Sequence, residues 1–503
     1  MTAVETRRAA RSGAIGLVGA AVNGAFGFVL TTLLTRGYGA DGAGVLFTVI
    51  GVVSIVGAVC CLGADTALMW ALPRLNPVEN PVTPTISRAT LTPTQCRGGG
   101  GGGARNKFDD CETAGALVAT ALIPSVSLAL VTAVAGVVAA GPLARLLEVP
   151  DPMLLRLAFG GVPVIVAGTI LMAAVRATRP VTAYVAVQFV LVPVLRPILL
   201  IAAGGGLLLG FGAWLAPVGL ALLVGGVLAP RVGRPRGWRA FWGYALPRAV
   251  SVAVDASTMW VGVLLTGALA GSREAGLFAG AARYAMAGLL IMQGLRVAMA
   301  PRLSRLLGAG RTAEAATLYR NTTQAIVALS FPAYILLAVF APAFLSLFGG
   351  DFGAAAGPLA VLAVAMLVNV GVGLVQTVLL MSGDSRGHLV ATLTGLVLNV
   401  LAALVLIPRS GALGAALAWS LGIVAENLIA AGLARRALRE PLSSRPLWLI
   451  VIGATAVAGL AAAAGVWAGG RQLPGLAVAL LLLLPIVAAV AVRYRRGRAW
   501  RAR

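Results

Sequence analysis

Charged residues are scarce in this chain of 503 residues, and acidic residues are the scarcest of them. Only 11% of the residues are charged and 59% are hydrophobic, while Asp and Glu together number 16. A soluble domain normally carries about 25% charged residues. The composition therefore excludes an ordinary soluble protein and indicates that lipid surrounds most of the side chains.

Motifs for chemistry are missing as well. The 4 cysteines lack the spacing of zinc ligands. No glycine-rich phosphate loop or nucleophile elbow is present. The polar loops that the topology below places outside the membrane are also too short to hold catalytic groups. A membrane glycosyltransferase, polymerase or ligase is thus the weakest interpretation. We expect a protein that is not an enzyme and has no cofactor.

Long apolar stretches dominate what is present. Lipid cannot satisfy backbone polar groups, and the stretches lack the strict alternation of barrel strands, so they predict membrane-spanning helices. The predicted fold class is an all-α polytopic membrane protein with about fourteen spans. The spans are predicted at 13–35, 43–71, 114–140, 153–175, 181–203, 205–229, 241–267, 275–300, 322–348, 355–382, 387–408, 411–434, 446–468 and 472–492.

Basic residues fall almost entirely in every second gap between these spans. Of the 39 Lys and Arg residues, 29 lie in one set of gaps and tails, 5 in the other set and 5 within spans. Positive residues stay on the cytoplasmic side, so the pattern predicts an inner-membrane protein with cytoplasmic N- and C-termini. The net charge of +23 follows from this topology and does not indicate nucleic-acid binding.

The chain repeats itself weakly at an offset of about six spans. Residues 33–47 (LLTRGYGADGAGVLF) resemble residues 264–278 (LLTGALAGSREAGLF). Six spans per repeat predicts two pseudo-symmetric lobes related by an axis along the membrane normal, with the substrate between them. We predict an N-lobe at 1–230, a C-lobe at 231–440, and two further helices with a basic cytoplasmic tail at 441–503.

Two segments interrupt the pattern of spans. Residues 76–113 are polar, rich in proline and carry a glycine run, which predicts a disordered cytoplasmic insertion. In residues 301–321, three leucines (Leu303, Leu306 and Leu307) lie beside three arginines (Arg302, Arg305 and Arg311), which predicts a short amphipathic helix on the inner membrane surface.

Several short motifs, in their order and spacing, carry a family resemblance. They are Leu33 to Gly39 with Gly42 and Gly44, Tyr244 to Pro247, Gly276 to Phe278, Pro301 to Leu303, Phe348 to Phe352, Asn399 through Pro408, and Gly411 to Ala416. Together they resemble the oligosaccharide-lipid flippases of the polysaccharide-export type. That family is related to the lipid II flippases and, more distantly, to multidrug and toxin extruders.

The resemblance implies twelve core helices in two lobes, often with two more appended. It implies a transporter that moves a polyprenyl-pyrophosphate-linked oligosaccharide from the cytoplasmic to the outer leaflet by alternating access. The expected partners are that lipid-linked oligosaccharide, membrane lipids and other polysaccharide-assembly proteins, and the expected state is a monomer. The insertion at 76–113 departs from the family pattern, which has a compact linker there.

Three arginines within the spans are candidates for substrate binding: Arg196, Arg248 and Arg283. A charge at this depth is costly, and guanidinium grips phosphate in a bidentate way. Arg196 ranks first because Pro193 and Pro197 flank it and can bend the helix around a cavity. The alternative for Arg196 is pairing with a carbonyl that the kink frees.

Asp255, Glu426 and Asn399 are candidates for coupling transport to Na⁺ or H⁺. Asp255 resembles the acid on helix seven that is implicated in cation binding in lipid II flippases. It would alternatively neutralise an arginine on another helix. An interhelical hydrogen bond is the alternative for Glu426.

Uncharged polar residues within the spans, Gln376 and Asn369 among them, would donate to sugar hydroxyls or bridge helices. A multidrug-type exporter on the same fold is the second interpretation of the chain. That class needs carboxylates facing the cavity for organic cations. Two deep acids against three deep arginines favour an anionic substrate instead.

Overall fold

The computed structural model describes residues 3–75 and 114–485. The described residues are helical with short connections and contain no strand. The insertion at 76–113, for which disorder is predicted, lies outside the described residues. The same holds for residues 486–503, which contain the basic tail that is predicted to be cytoplasmic. An all-α fold agrees with the predicted class, because helices satisfy their own backbone hydrogen bonds in lipid.

The helices are numbered here in chain order. They are α1 (Ala3–Cys60), α2 (Ala64–Leu75), α3 (Ala114–Val138), α4 (Ala140–Leu146), α5 (Pro152–Thr178), α6 (Val181–Val185), α7 (Val192–Ala202), α8 (Leu207–Leu228), α9 (Trp238–Ala270), α10 (Ser272–Ala287), α11 (Leu290–Gly308), α12 (Thr312–Val339), α13 (Ala341–Leu345), α14 (Ala356–Gly371), α15 (Val375–Ser382), α16 (Ser385–Leu438), α17 (Arg445–Gly469) and α18 (Leu473–Pro485). A π-helical turn, Ala186–Leu191, joins α6 to α7, and two 3₁₀ turns lie between α13 and α14.

Two helices are too long to cross a bilayer once. The 58 residues of α1 and the 54 of α16 would each extend over about 80 Å, more than twice a hydrocarbon core of about 30 Å. Each bends at a glycine of positive φ, Gly39 (φ 68°) in α1 and Gly411 (φ 52°) in α16. Both bends lie at or next to gaps predicted from the sequence. The parts of α16 before and after Gly411 are called its first and second segments below.

Nine helices of the described residues are long and apolar enough to cross a membrane, or ten if the bent pair within 238–270 counts as one span. Since α1 and α16 each supply two predicted spans, this agrees with a multi-pass fold. The number fourteen stays a prediction, because α10 has only 16 residues and α18 is described only as far as Pro485. Predicted span 355–382 is interrupted between α14 and α15, where Gly373 has a φ of 67°.

The prediction of a separate amphipathic helix at 301–321 is wrong. Residues 301–308 instead continue α11, and α12 begins at Thr312 after a turn at Ala309 to Arg311. The apolar positions of this segment are part of the packing, since Leu303 is buried against Ala315 and Tyr319. Packing against neighbouring helices thus accounts for Leu303 and in part for Leu306 and Leu307, and the position on the membrane surface stays a prediction.

Contacts divide the chain into two compact units. One comprises Met1–Gly27, Val53–Ala140 and Leu155–Ala253, and the other comprises Phe28–Val52, Gly141–Leu154 and Val254–Arg503. We call them the first and second unit. The lobe boundaries at 1–230, 231–440 and 441–503 stay a prediction, since they describe the internal repeat and not these contacts.

In the first unit, the linker after α8 is held against the start of α3. Gly233 donates its N–H to the Gly115 carbonyl at 3.0 Å, and Thr120 Oγ1 donates to the Arg236 carbonyl at 2.8 Å. The Arg236 N–H in turn donates to Thr120 Oγ1 at 3.0 Å. This linker therefore has a fixed backbone, although the side chains of Arg231, Arg234 and Arg236 are exposed.

In the second unit, the two segments that echo each other in sequence pack together reciprocally. A Cβ on Gly44 would lie 1.7 Å from the Ser272 carbonyl oxygen, and a Cβ on Gly276 would lie 2.0 Å from that of Ala40. Each glycine is the fifth residue after a positive-φ glycine, Gly39 or Gly271. The two segments thus meet at glycines that follow their bends at the same distance, although the glycines are one residue out of register in the sequence echo, and only glycine allows this backbone approach.

The predicted C-terminal pair also packs in the second unit. Leu336 and Phe340 are buried in one apolar cluster with Ala461 and Ala462 of α17 and with residues of α18. Trp448 and Trp467, near opposite ends of α17, are 59% and 91% exposed. Tryptophans at both ends of a span are typical of membrane interfaces, which supports α17 as a crossing helix.

Candidate functional site

Arg196 lies in the first unit and is held by the next helix. Its Nε donates to the Trp214 carbonyl of α8 at 3.2 Å, and its guanidinium carbon lies 4.5 Å from the centroid of the Trp214 ring. The π-helical turn before α7 and the helix position of Pro197 mark a local departure from regular helix. The carbonyl that Arg196 bonds therefore belongs to α8, which has its own Pro217, and not to the helix that contains Pro193 and Pro197.

Arg283 lies in α10 of the second unit and has a different environment. Its guanidinium carbon is 5.8 Å from the centroid of the Phe47 ring and 5.6 Å from that of Trp260. The described residues give this half-buried guanidinium no hydrogen bond and no ion pair. Cation–π attraction to two rings stabilises the charge while leaving its N–H donors available to an anion.

Arg248, the third predicted arginine, lies in α9 of the first unit with an exposed side chain. Leu246 and Val250 beside it are 50% and 52% exposed. None of the ion pairs found among the described residues involves it. The structure thus places Arg196 and Arg248 in one unit and Arg283 in the other, each with different surroundings.

Glu426 and Asn399 flank a close crossing of the two segments of α16. A Cβ on Gly395 would lie 2.8 Å from Cβ of Glu426, and a Cβ on Gly422 would lie 2.8 Å from Cβ of Asn399. Because the segments run antiparallel, Glu426 and Asn399 lie about one turn, or 6 Å, apart along the helix axes. The structure thus brings these two predicted coupling residues to one helix pair at adjacent levels.

The carboxylate of Glu426 accepts hydrogen bonds from two other helical segments. Gln376 Nε2 of α15 donates to Oε1 at 2.8 Å, and Thr392 Oγ1 of the first segment donates to the same oxygen at 3.2 Å. Thr392 Oγ1 also lies 3.3 Å from His388 Nδ1. Glu426 therefore makes the interhelical hydrogen bond that was one of its two interpretations. Gln376 is the donor, so of its two predicted roles it is the bridging of helices that is observed.

Asn399 is buried, with 2% of its surface exposed, and neither atom of its amide has a hydrogen-bond partner in the described part of the chain. The Gln376 amide oxygen also lacks one. A buried polar group without a partner costs about 1–3 kcal/mol. Oxygen atoms of this kind are the ligands that a hard cation prefers, so Asn399 fits a coupling site.

Asp255, the third predicted coupling residue, lies within α9, and its side chain is outside what the structure describes. The acids near the second unit's connections have structural partners instead. Glu274 accepts from the Ala412 N–H at 2.7 Å and so caps the second segment of α16, which begins after Gly411. Asp41 and Arg273 form an exposed ion pair at 3.8 Å across the contact of the two echo segments.

Sequence reasoning missed the aromatic partners of the deep arginines. Trp214 and Trp260 lie well inside α8 and α9, whereas tryptophan usually concentrates at membrane interfaces. Tryptophan at mid-span was the available signal for a cation nearby. Phe47 carried no such signal, because phenylalanine is ordinary at any depth.

Comparison with protein families finds a match over most of the chain. The sequence profile described as lipid II flippase MurJ matches residues 163–488. A search of curated proteins finds no match for the sequence.

Solved structures share the fold. A structure described as lipid II flippase MurJ in an inward closed conformation aligns with a TM-score of 0.66 at 11% identity, covering 98% of this chain and 99% of that chain. A multidrug resistance MATE family transporter in an inward-facing conformation aligns at 0.61 and 16% identity, covering 84% and 94%. A transporter of the same superfamily from Pyrococcus furiosus aligns at 0.57 and 16% identity, covering 86% and 96%.

Proposed function

The chain belongs to the lipid II flippase MurJ family, and from that premise we propose that it moves a polyprenyl-pyrophosphate-linked oligosaccharide from the cytoplasmic to the outer leaflet. Its relatives are transporters and not enzymes, so the step is translocation without chemistry. The oligosaccharide is a building block of a cell-surface polysaccharide. The protein works by alternating access in the cell membrane, with both termini in the cytoplasm.

One observation carries the choice of an anionic substrate. Arg283 is a guanidinium within the helical bundle that meets two aromatic faces and, among the described residues, no carboxylate. A pyrophosphate offers such a group the charged hydrogen bonds that it lacks, and these are the stronger class of hydrogen bond. Arg248, whose side chain is exposed, serves the same headgroup at another stage of its passage, whereas Arg196, already bonded to the Trp214 carbonyl, acts chiefly by holding α7 against α8.

Cation coupling completes the proposal. Asp255, Glu426 and Asn399 bind Na⁺ or H⁺ and link its gradient to the direction of transport. The buried Asn399 amide without a partner supports Na⁺ at this place, and the hydrogen-bonded Glu426 carboxylate supports H⁺. Other polysaccharide-assembly proteins receive the product, and the transporter itself acts as a monomer.

The test is transport by the purified chain in proteoliposomes. A fluorescent polyprenyl-pyrophosphate disaccharide in one leaflet becomes sensitive to a membrane-impermeant quencher when it is flipped. We expect the protein to flip the pyrophosphate-linked lipid and not to flip a neutral polyprenol-linked sugar. Transport of an organic-cation dye with no flipping of the lipid would instead assign the chain to the multidrug-type exporters.

The coupling role has its own test. The Asp255→Asn variant is assayed with a Na⁺ gradient, a proton gradient or neither. We expect the gradient that accelerates the unmodified protein to have no effect on the variant. Equal gradient dependence in both would remove Asp255 from coupling while leaving the flippase proposal intact.

A further inference from the structure

Two cavities open along the second segment of α16, which lies in the second unit. One has a volume of about 500 Å³ and is lined by Gly432, Arg435, Arg436, Arg439, Glu440 and Pro441. We call it the arginine pocket. The other, of about 520 Å³, lies between α14 and α16 and is lined chiefly by valine, leucine and alanine. We call it the apolar groove.

Both cavities lie on one face of the helix. Residues three or four apart in a helix share a face. Lining residues of both cavities follow this spacing, and Leu428 continues it between them: Leu417, Leu421, Val424, Leu428, Gly432, Arg435 and Arg439. Leu421 and Leu428 are 49% and 58% exposed, so the face is open between the cavities.

The charge of the arginine pocket is not balanced by its surroundings. The pocket's acid, Glu440, is paired with Arg320 of α12 at 3.8 Å, and Arg320 also donates to the Pro441 carbonyl at 3.1 Å. Arg435, Arg436 and Arg439 take part in none of the ion pairs among the described residues. The C-terminus of a helix offers only about half a unit of negative charge. Three guanidinium groups therefore remain available to an anion.

The distances suit one class of amphiphile. From Arg435 to Val424 is eleven residues, or about 16 Å along the helix. That is close to half of a hydrocarbon core of about 30 Å. A molecule with its phosphate in the arginine pocket and a chain of one-leaflet length would thus reach the lower edge of the apolar groove.

We propose that this face of α16 is a binding site for an anionic phospholipid. Its phosphate binds Arg435, Arg436 and Arg439, and an acyl chain lies along Leu428 towards Val424. With this end of α16 in the cytoplasm, as the charge pattern predicts, the lipid belongs to the inner leaflet. The site is separate from the arginines proposed for transport, so it stands whether or not the chain is a flippase.

The experiment measures lipid binding by the full chain in detergent. Dioleoyl phosphatidylglycerol is titrated and the bound lipid counted by native mass spectrometry, with phosphatidylcholine and a polyprenyl phosphate as parallel probes. The variant Arg435→Gln/Arg436→Gln/Arg439→Gln should lose on the order of 100-fold in affinity for phosphatidylglycerol. Phosphatidylcholine should bind the unmodified protein far more weakly.

The chain offers matched controls for charge and for shape. Arg231→Gln/Arg234→Gln/Arg236→Gln removes three exposed arginines from the fixed linker in the first unit and should change the affinity by at most about threefold. Gly432→Phe fills the arginine pocket and keeps every charge, since a Cβ there meets nothing within 4 Å. It should weaken binding at least about tenfold, whereas Gly453→Phe, at an equally open glycine of α17, should not.

Four results would overturn the proposal. They are equal losses in the two triple variants, unchanged binding in Gly432→Phe, equal affinity for phosphatidylcholine, or binding of polyprenyl phosphate alone. The last result would make the face a resting place for the transported lipid. Thermal unfolding of each variant verifies the fold. If the triple variant does not fold, the single variant Arg436→Gln takes its place, and we expect its affinity for phosphatidylglycerol to fall about fivefold.

Discussion

Arg196 and Arg283 carry the same charge within apolar helices, yet their surroundings differ. Arg196 donates to a carbonyl on a neighbouring helix at 3.2 Å and lies 4.5 Å from the Trp214 ring. Arg283 contacts two rings at more than 5 Å and, among the described residues, has no hydrogen-bond acceptor. A guanidinium already bonded stabilises the fold, whereas one stabilised only through its faces can still bind an anion through its edge.

The comparison reverses the ranking that the sequence suggests. Prolines on both sides favoured Arg196 as the residue of the cavity, but proline says nothing about what occupies the adjacent helix. The carbonyl and ring of Trp214 supply a structural reason for Arg196 to be there. For Arg283 the described residues supply two rings but no hydrogen-bond acceptor, so structure alone does not account for its charge. We therefore expect transport to depend more on Arg283 than on Arg196.

The largest expected effect is on transport by Arg283→Gln. Removing a charged hydrogen bond to phosphate costs about 1.5–3 kcal/mol, so the rate of flipping should fall by about 10- to 150-fold. The free energy of unfolding should hold or rise, because no partner is left behind. Flipping in proteoliposomes and thermal unfolding are measured on the same preparation. A rate within twofold of the unmodified protein would end the role of Arg283 in binding.

Arg196→Gln should show the opposite pattern. Loss of the bond to the Trp214 carbonyl and of the ring contact should lower the free energy of unfolding by about 1–3 kcal/mol. Flipping by the protein that remains folded should stay within about threefold. If instead flipping falls as far as in Arg283→Gln while stability is unchanged, the distinction between the two arginines is wrong.

Two asparagines extend the same distinction to uncharged groups. Asn399 has no partner for its amide, whereas Asn427 Nδ2 donates to the Ile423 carbonyl at 2.8 Å. Asn399→Leu should therefore be neutral or stabilising by about 1 kcal/mol, and Asn427→Leu should destabilise by about that amount. If Asn399 holds the coupling ion, only its variant loses gradient dependence. If Asn399→Leu instead lowers the free energy of unfolding, the Asn399 amide has a hydrogen-bond partner and its role is structural.

The smallest expected effect concerns the rings. A double-mutant cycle of Arg196→Gln with Trp214→Leu should give a coupling free energy of about 1 kcal/mol. The cycle of Arg283→Gln with Trp260→Leu should give less, because 5.6 Å separates that pair against 4.5 Å. Unfolding in detergent provides the four free energies of each cycle. Equal couplings would show that ring distance does not separate the two sites.

Much of the fold could be predicted because span length and charge act locally. The gap at residues 409–410 lies next to the bend at Gly411, since a helix of that length cannot stay in the bilayer. The break between α14 and α15 was missed, because one glycine at Gly373 interrupts an otherwise continuous apolar run. The separate amphipathic helix was wrongly predicted, because the sequence does not show that α11 continues through residues 301–308 and that Leu303 packs against α12.

The site was less predictable because its partners are far apart in the sequence. Phe47 and Arg283 come from different helices, and no local pattern connects them. Glu426 could be identified as a deep acid, but its bonds to Gln376 and Thr392 depend on how three helical segments pack. Composition reveals which groups are expensive to bury, and only tertiary structure reveals which of them are already satisfied.

The glycines at the meeting of the two echo segments have a mechanical consequence. Gly44 and Gly276 oppose each other through main-chain atoms, so no side chains are interlocked there. Surfaces of this kind can part and meet again with little change of rotamers, and dispersion forces and the exposed Asp41–Arg273 ion pair resist the separation. A contact without interlocked side chains combines a tight fit with a smooth surface, which would let the two echo segments slide against each other.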